Sequence, residues 1–135
     1  MPQWLKRIRS ALVMGLVWGA FWAIVGGVIM EKIVDPNGQV VDMWPQVLGI
    51  VGFMGGVIFS GVISALAGRR GINEFSLREF AGLGGITGVL QGVLAMLVVG
   101  APLLFVGVTT VMSALLAVGT LGVVRVAEKR LSLPR

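Results

Sequence analysis

Residues 80–124 read FAGLGGITGVLQGVLAMLVVGAPLLFVGVTTVMSALLAVGTLGVV, 45 positions without a charged side chain. As one helix they would extend about 68 Å, more than twice the ~30 Å hydrocarbon layer of a bilayer. Gly100-Ala101-Pro102 lies near the midpoint. Pro102 has no backbone N–H to donate, and it biases the residue before it away from helix. A tight turn is expected there, so the stretch makes two crossings, about 77–99 and 103–124.

Two other uncharged stretches precede it, Ser10–Met30 and Met43–Gly68. Each matches the ~20 apolar residues that one crossing needs. The predicted spans are therefore about 10–30, 45–67, 77–99 and 103–124. The fold class is all-α: a polytopic membrane protein with four transmembrane helices in two hairpins, forming a single domain over 1–135. The first stretch has a basic flank, but its apolar core is too long for a signal peptide and no convincing cleavage site follows. It is expected to stay as an anchor.

Composition agrees. Hydrophobic residues make up 56% of the chain and charged residues 13%, about half the ~25% usual in soluble domains. A soluble chain of this size could not bury so much apolar surface, and a disordered one would show the opposite balance. The chain has Cys 0, His 0 and Tyr 0. Disulfides, thiol nucleophiles, Cys/His zinc sites, imidazole ligation of haem or pigment, and a His general base are thereby excluded. No catalytic residue, metal site or cofactor is expected, and the chain reads as a non-enzyme.

The charges sit at the ends of the stretches. Lys plus Arg counts run 3 before span one, 1 in loop one, 3 in loop two, 0 in loop three and 4 in the tail. The positive-inside rule then places the N-terminus, loop two and the C-terminus in the cytoplasm. The expected location is a bacterial inner membrane with both termini inside. Arg69 and Arg70 read as topology anchors or as a lipid-headgroup contact. With no soluble basic domain, nucleic acid is not an expected partner.

Small residues recur every fourth position. Span one has Ala11, Gly15, Gly19, Ala23 and Gly27, and span two has Gly52, Gly56, Ser60, Ser64 and Gly68. Span three has Gly84, Gly88 and Gly92, and span four has Thr109, Ser113 and Ala117. Such glycine-zipper rows let helix backbones approach closely in lipid, where no hydrophobic force drives association. They serve either the chain's own helices or a second copy or partner. Trp18 and Trp22 lie one turn apart in mid-span, away from the interfaces where Trp4 and Trp44 are expected. They read as packing residues or as contacts to a lipid tail, pigment or quinone-like ligand. Gln91, Thr109 and Thr110 are the main intramembrane polar candidates, as interhelical glue or as a substrate or ion contact.

Two loops carry local signals. Asp35-Pro36-Asn37-Gly38 matches a type I turn. Its flanking β-branched pairs, Ile33-Val34 and Val40-Val41, suggest a short hairpin-like excursion. Asp35, Asn37 and Asp42 offer oxygen atoms, but the full EF-hand pattern is absent. In loop two, Ser76 and Glu79 have capping-box spacing, and Phe75 and Phe80 occupy hydrophobic-staple positions.

No Asp, Glu, Lys, Arg or His lies deep in a span, which counts against proton coupling. Small multidrug exporters share the four short spans, but their membrane-embedded Glu has no equivalent here. Gly107-Val108-Thr109-Thr110-Val111-Met112-Ser113 resembles the Thr-Thr-Phe-Ser segment of fluoride channels. It lacks the aromatic positions and falls in the fourth span rather than the third. Over most of its length the chain resembles small four-span bacterial membrane proteins without an assigned activity. That resemblance rests on the Trp- and Gly-rich first span, Val34-Asp35-Pro36-Asn37-Gly38 with Asp42-Met43-Trp44, and the Gly68-Arg69-Arg70 to Phe75-Ser76-Leu77-Arg78-Glu79-Phe80 loop. The expected function is a non-catalytic accessory or assembly subunit packed within a larger membrane complex, of respiratory or photosynthetic type. The alternative is a homo-oligomeric small channel or transporter. Expected partners are the lipid bilayer and other membrane subunits, or further copies of the chain.

Overall fold

The computed structural model describes residues 2–39, 43–66, 70 and 74–132. Among them are four helices long and apolar enough to cross a membrane, and no strand. The first span, Gln3–Ile33, has 31 residues. It begins as α1 (Gln3–Phe21) and continues through π1 (Trp22–Gly26), α2 (Gly27–Ile29) and π2 (Met30–Val34). Then follow α3 (Trp44–Leu66), α4 (Leu77–Val99) and α5 (Leu103–Leu131). By its contacts the chain divides into two compact units, Met1–Ser64 and Ala65–Arg135.

The helices outrun the predicted spans at both ends of the chain. α1 takes in Lys6, Arg7 and Arg9, and α5 runs on through Arg125, Glu128, Lys129 and Arg130. Neither segment contains a helix breaker, and Lys and Arg are good helix formers once outside lipid. Loop one also departs from expectation. Ile33 and Val34 close π2 and do not flank a hairpin, because the Asp35 N–H continues the helical bonding to the Met30 carbonyl at 2.8 Å. Two β-branched residues cannot redirect a helix already running into them. Val40, Val41 and Asp42 lie outside the described residues. The turn itself is present: the Gly38 N–H donates to the Asp35 carbonyl at 3.1 Å, and Gly38 has φ 62°.

In the first unit, α1 and the segments that continue it meet α3 through small residues. A Cβ placed on Gly52 would lie 2.5 Å from Trp22 Cβ and 2.6 Å from the Trp18 carbonyl oxygen. One on Gly19 would lie 2.9 Å from the Gly49 oxygen, and one on Gly27 would lie 2.6 Å from Pro45 Cα. Partner numbers fall along α3 as they rise along the first span, so the contact is antiparallel. A four-residue row on an α-helix drifts by about 40° per step. A π turn, at roughly 4.4 residues per turn, drifts the opposite way by a similar amount. Placed at Trp22–Gly26, π1 cancels part of the drift and holds Ala23 and Gly27 against the helix that Gly15 and Gly19 already touch.

In the second unit, α4 packs on α5 in the same antiparallel sense. A Cβ on Gly84 would lie 2.5 Å from the Ser113 oxygen and 2.6 Å from Ala117 Cβ; one on Gly92 would lie 2.6 Å from Val106 Cα. The turn between them uses Gly100, which caps α4 in the left-handed region at φ 68°. Pro102 follows as the extended residue before α5.

The start of α4 is set locally. The Glu79 N–H donates to Ser76 Oγ at 3.1 Å, and the Ser76 N–H donates to Glu79 Oε2 at 2.8 Å. This reciprocal pair satisfies two N–H groups that the first helical turn would leave free. Phe75 and Phe80 close the staple edge-to-face at 5.8 Å.

Candidate functional site

The residues singled out from the sequence fall into three groups: the small-residue lines, the polar and aromatic residues of the spans, and the loop arginines. Gly15, Gly19, Gly27, Gly52 and Gly56 lie where a Cβ would meet another helix within 3 Å. Gly49 faces Ala23, whose Cβ would be 3.3 Å away. Ser60 is buried, whereas Ser64 is exposed and donates to the Ser60 carbonyl at 2.8 Å. Gly84, Gly88 and Gly92 all face α5 at this closeness.

The closest approach in the second unit carries a hydrogen bond between helices. Thr109 is fully buried, and its hydroxyl lies 2.8 Å from the Gly88 carbonyl oxygen on α4. The carbonyls of Phe105 and Val106, on its own helix, are 2.9 and 3.0 Å away. One hydroxyl has one proton, so three acceptors share it, and only the Gly88 bond ties α5 to α4. The glycine permits this bond, because any side chain at 88 would hold Thr109 off. Ser113 Oγ is buried without a partner, whereas three threonine hydroxyls turn back on their own helices. Thr110 donates to the Val106 carbonyl at 2.6 Å, Thr87 to Leu83 at 3.0 Å and Thr120 to Leu116 at 2.8 Å. Gln91 is buried on α4 one residue before Gly92.

Trp18 and Trp22 are both buried in the first unit, and Trp18 stacks on Phe59 with ring centroids 4.8 Å apart. Neither indole N–H has a hydrogen-bond partner. Each of these nitrogens is itself shut off from solvent, so a ligand acceptor could reach it only after the packing opened. The rings act here as volume, filling the space beside Gly52 and Gly26.

The loop charges are engaged within the chain. Arg70 pairs with Glu79 at 3.4 Å, donates to the Glu74 carbonyl at 3.0 Å and lies 4.6 Å over the Phe75 ring. Its guanidinium thus contacts protein groups while staying half-exposed; the sequence offered it as a topology anchor or a headgroup contact. Arg69 lies outside the described residues. Arg125, 50 residues away on α5, donates to the Phe75 carbonyl. In loop one, Asp35 is buried and accepts from the Gln39 N–H at 2.9 Å and from Trp44 Nε1 at 3.1 Å. Both carboxylate oxygens face donors, which is the coordination of a turn pin and not of a cation ligand. The Arg125 and Trp44 bonds were not foreseen. Asp35 and Trp44 are nine positions apart in sequence, and no local pattern encodes such a pair.

Among the described residues no group of three or more His, Cys, Asp or Glu could hold a metal ion. The arrangement offers close backbone contact and hydrogen bonds to backbone carbonyls. No protein-family model, curated protein or solved structure matches the chain.

Proposed function

We propose that the chain is a non-catalytic integral membrane subunit that crosses the bilayer as two helical hairpins, with both termini cytoplasmic, and packs within a larger membrane complex. The supporting observation is a second set of glycines. Gly61, Gly82, Gly107, Gly119 and Gly122 have nothing within 4 Å of where a Cβ would stand. A glycine inside a helix costs up to ~1 kcal/mol relative to alanine. In lipid that cost is recovered when another backbone comes close. The chain's own helices use one set of glycines, and the second set remains for neighbours. The hydroxyls favour the same reading over a channel, since Thr87, Thr109, Thr110 and Thr120 are committed to carbonyls and do not line a polar path. Bacterial inner-membrane residence follows the distribution of Lys and Arg and the resemblance described above.

Purification of the full chain in mild detergent from its native membrane tests the reading. Fixed-stoichiometry partners whose association is lost on Gly107→Leu or Gly119→Leu are expected. A chain that runs as a lone monomer and is indifferent to those substitutions overturns it.

A further inference from the structure

We propose that the first two turns of α1 form a binding surface for anionic phospholipid headgroups. The inference needs the four-span reading but not the subunit role. Its basis is an imbalance of charge within the first unit. Lys6, Arg7 and Arg9 are exposed, and among the described residues their side chains make no hydrogen bond or ion pair. The described carboxylates of that unit, Glu31 and Asp35, lie beyond the opposite end of the span. From Arg9 to Glu31 is about 33 Å along a helix. Among the described residues, no acid of this unit can reach these cations. In the second unit, Arg70 has Glu79 and Arg125 has the Phe75 carbonyl, and Lys129 and Arg130 follow Glu128 directly along the chain.

The depth is right for phosphate. The uncharged stretch Ser10–Met30 covers about 30 Å as a helix, which is the hydrocarbon thickness. Set in the bilayer by that stretch, Arg9, Arg7 and Lys6 rise roughly 2–6 Å past its edge. That places them inside the headgroup layer, about 5–8 Å deep on each side. The same two turns are two-faced. At about 100° per residue, Trp4, Leu5, Ile8 and Leu12 share one arc of roughly 100°, and all are exposed. Lys6, Arg7 and Arg9 fall outside that arc. Apolar residues including Trp opposite Lys and Arg are the pattern of a helix seated at a membrane interface. The occupant this fits is an anionic phospholipid, whose phosphate meets the cations and whose chains meet the apolar arc.

Native mass spectrometry tests the proposal on the full chain, released from micelles containing equal phosphatidylglycerol and phosphatidylcholine. The wild type is expected to retain phosphatidylglycerol preferentially. Each cation near an anionic surface contributes about 1 kcal/mol, so the K6Q/R7Q/R9Q variant should lose the preference by well over fivefold. The K129Q/R130Q variant, altered at the other end of the chain, should keep it. Excess inorganic phosphate should leave the preference intact. An unchanged preference in the triple variant overturns the proposal, as does equal loss in the tail variant or displacement by phosphate. If the triple variant loses helical circular dichroism, Arg7→Gln and Arg9→Gln are read singly, and no loss in either overturns it as well.

Discussion

Replacing Gly84 by alanine adds one methyl group where α4 and α5 are in close backbone contact. The new Cβ would lie 2.5 Å from the Ser113 carbonyl oxygen, 2.6 Å from Ala117 Cβ and 2.9 Å from Ala114 Cα. Ordinary contact begins near 3.4 Å, so the helices must part by roughly 0.9 Å. Two of the three obstructing atoms are backbone or Cα, so no rotamer change can relieve the clash. A gap of this size forfeits about a quarter to a half of the dispersion energy of the facing atoms. It also stretches the Thr109–Gly88 bond, one turn away, from 2.8 Å towards the limit of hydrogen bonding. Overpacking of this kind typically costs about 1–3 kcal/mol. Gly82, two residues earlier, has nothing within 4 Å of its Cβ position. Gly82→Ala should therefore be neutral or stabilising through helix propensity alone. The comparison is made by equilibrium unfolding of the full chain in mixed micelles, followed by far-UV circular dichroism. If Gly84→Ala proves as stable as Gly82→Ala, glycine closeness does not hold this helix pair together.

Other outcomes follow from single contacts. Thr109→Val keeps the side-chain shape and removes the bond to Gly88, so it should cost about 0.6–1.7 kcal/mol in the same unfolding assay. Ser76→Ala removes the acceptor for the Glu79 N–H and should cost about 0.5–2 kcal/mol, with hydrogen exchange accelerated in the first turn of α4. The native chain is free of cysteine, so single cysteines at Asn37 and Asn73 can report sidedness. They should label from opposite faces of the membrane, and labelling from the same face would refute the four-span reading.

The parts of this fold legible in the sequence are those fixed by neighbours in the chain. Ser76 and Glu79 are three residues apart, so their mutual cap could be read directly, as could the Gly38 turn and the break at Pro102. The crossing helices were legible because lipid requires long uncharged runs. Helix ends were less so, since Arg9 or Lys129 marks where lipid stops but not where hydrogen bonding stops. What spacing could not supply was the far side of each contact. The row Gly15, Gly19, Ala23, Gly27 does not say that Pro45 lies opposite Gly27. Nothing near Arg125 names the Phe75 carbonyl. π1 was also hidden, because it serves to bring Gly27 onto α3, which is not a property of residues 22–26 themselves.

Those π turns leave the first span with spare length. A π turn holds one residue more than an α turn while returning the chain to nearly the same heading. Deleting Ile24, an exposed residue within π1, should convert that turn to ordinary α-helix and leave Gly27 still facing Pro45. Deleting Leu16, equally exposed but within α1, has no such slack to absorb it. Everything on one side of the cut would swing by about 100° relative to the other, and Gly15 and Gly19 could no longer share a face. The span thus has, at its π turns, places where its length can change without changing its aim, and a scan of single deletions would locate them.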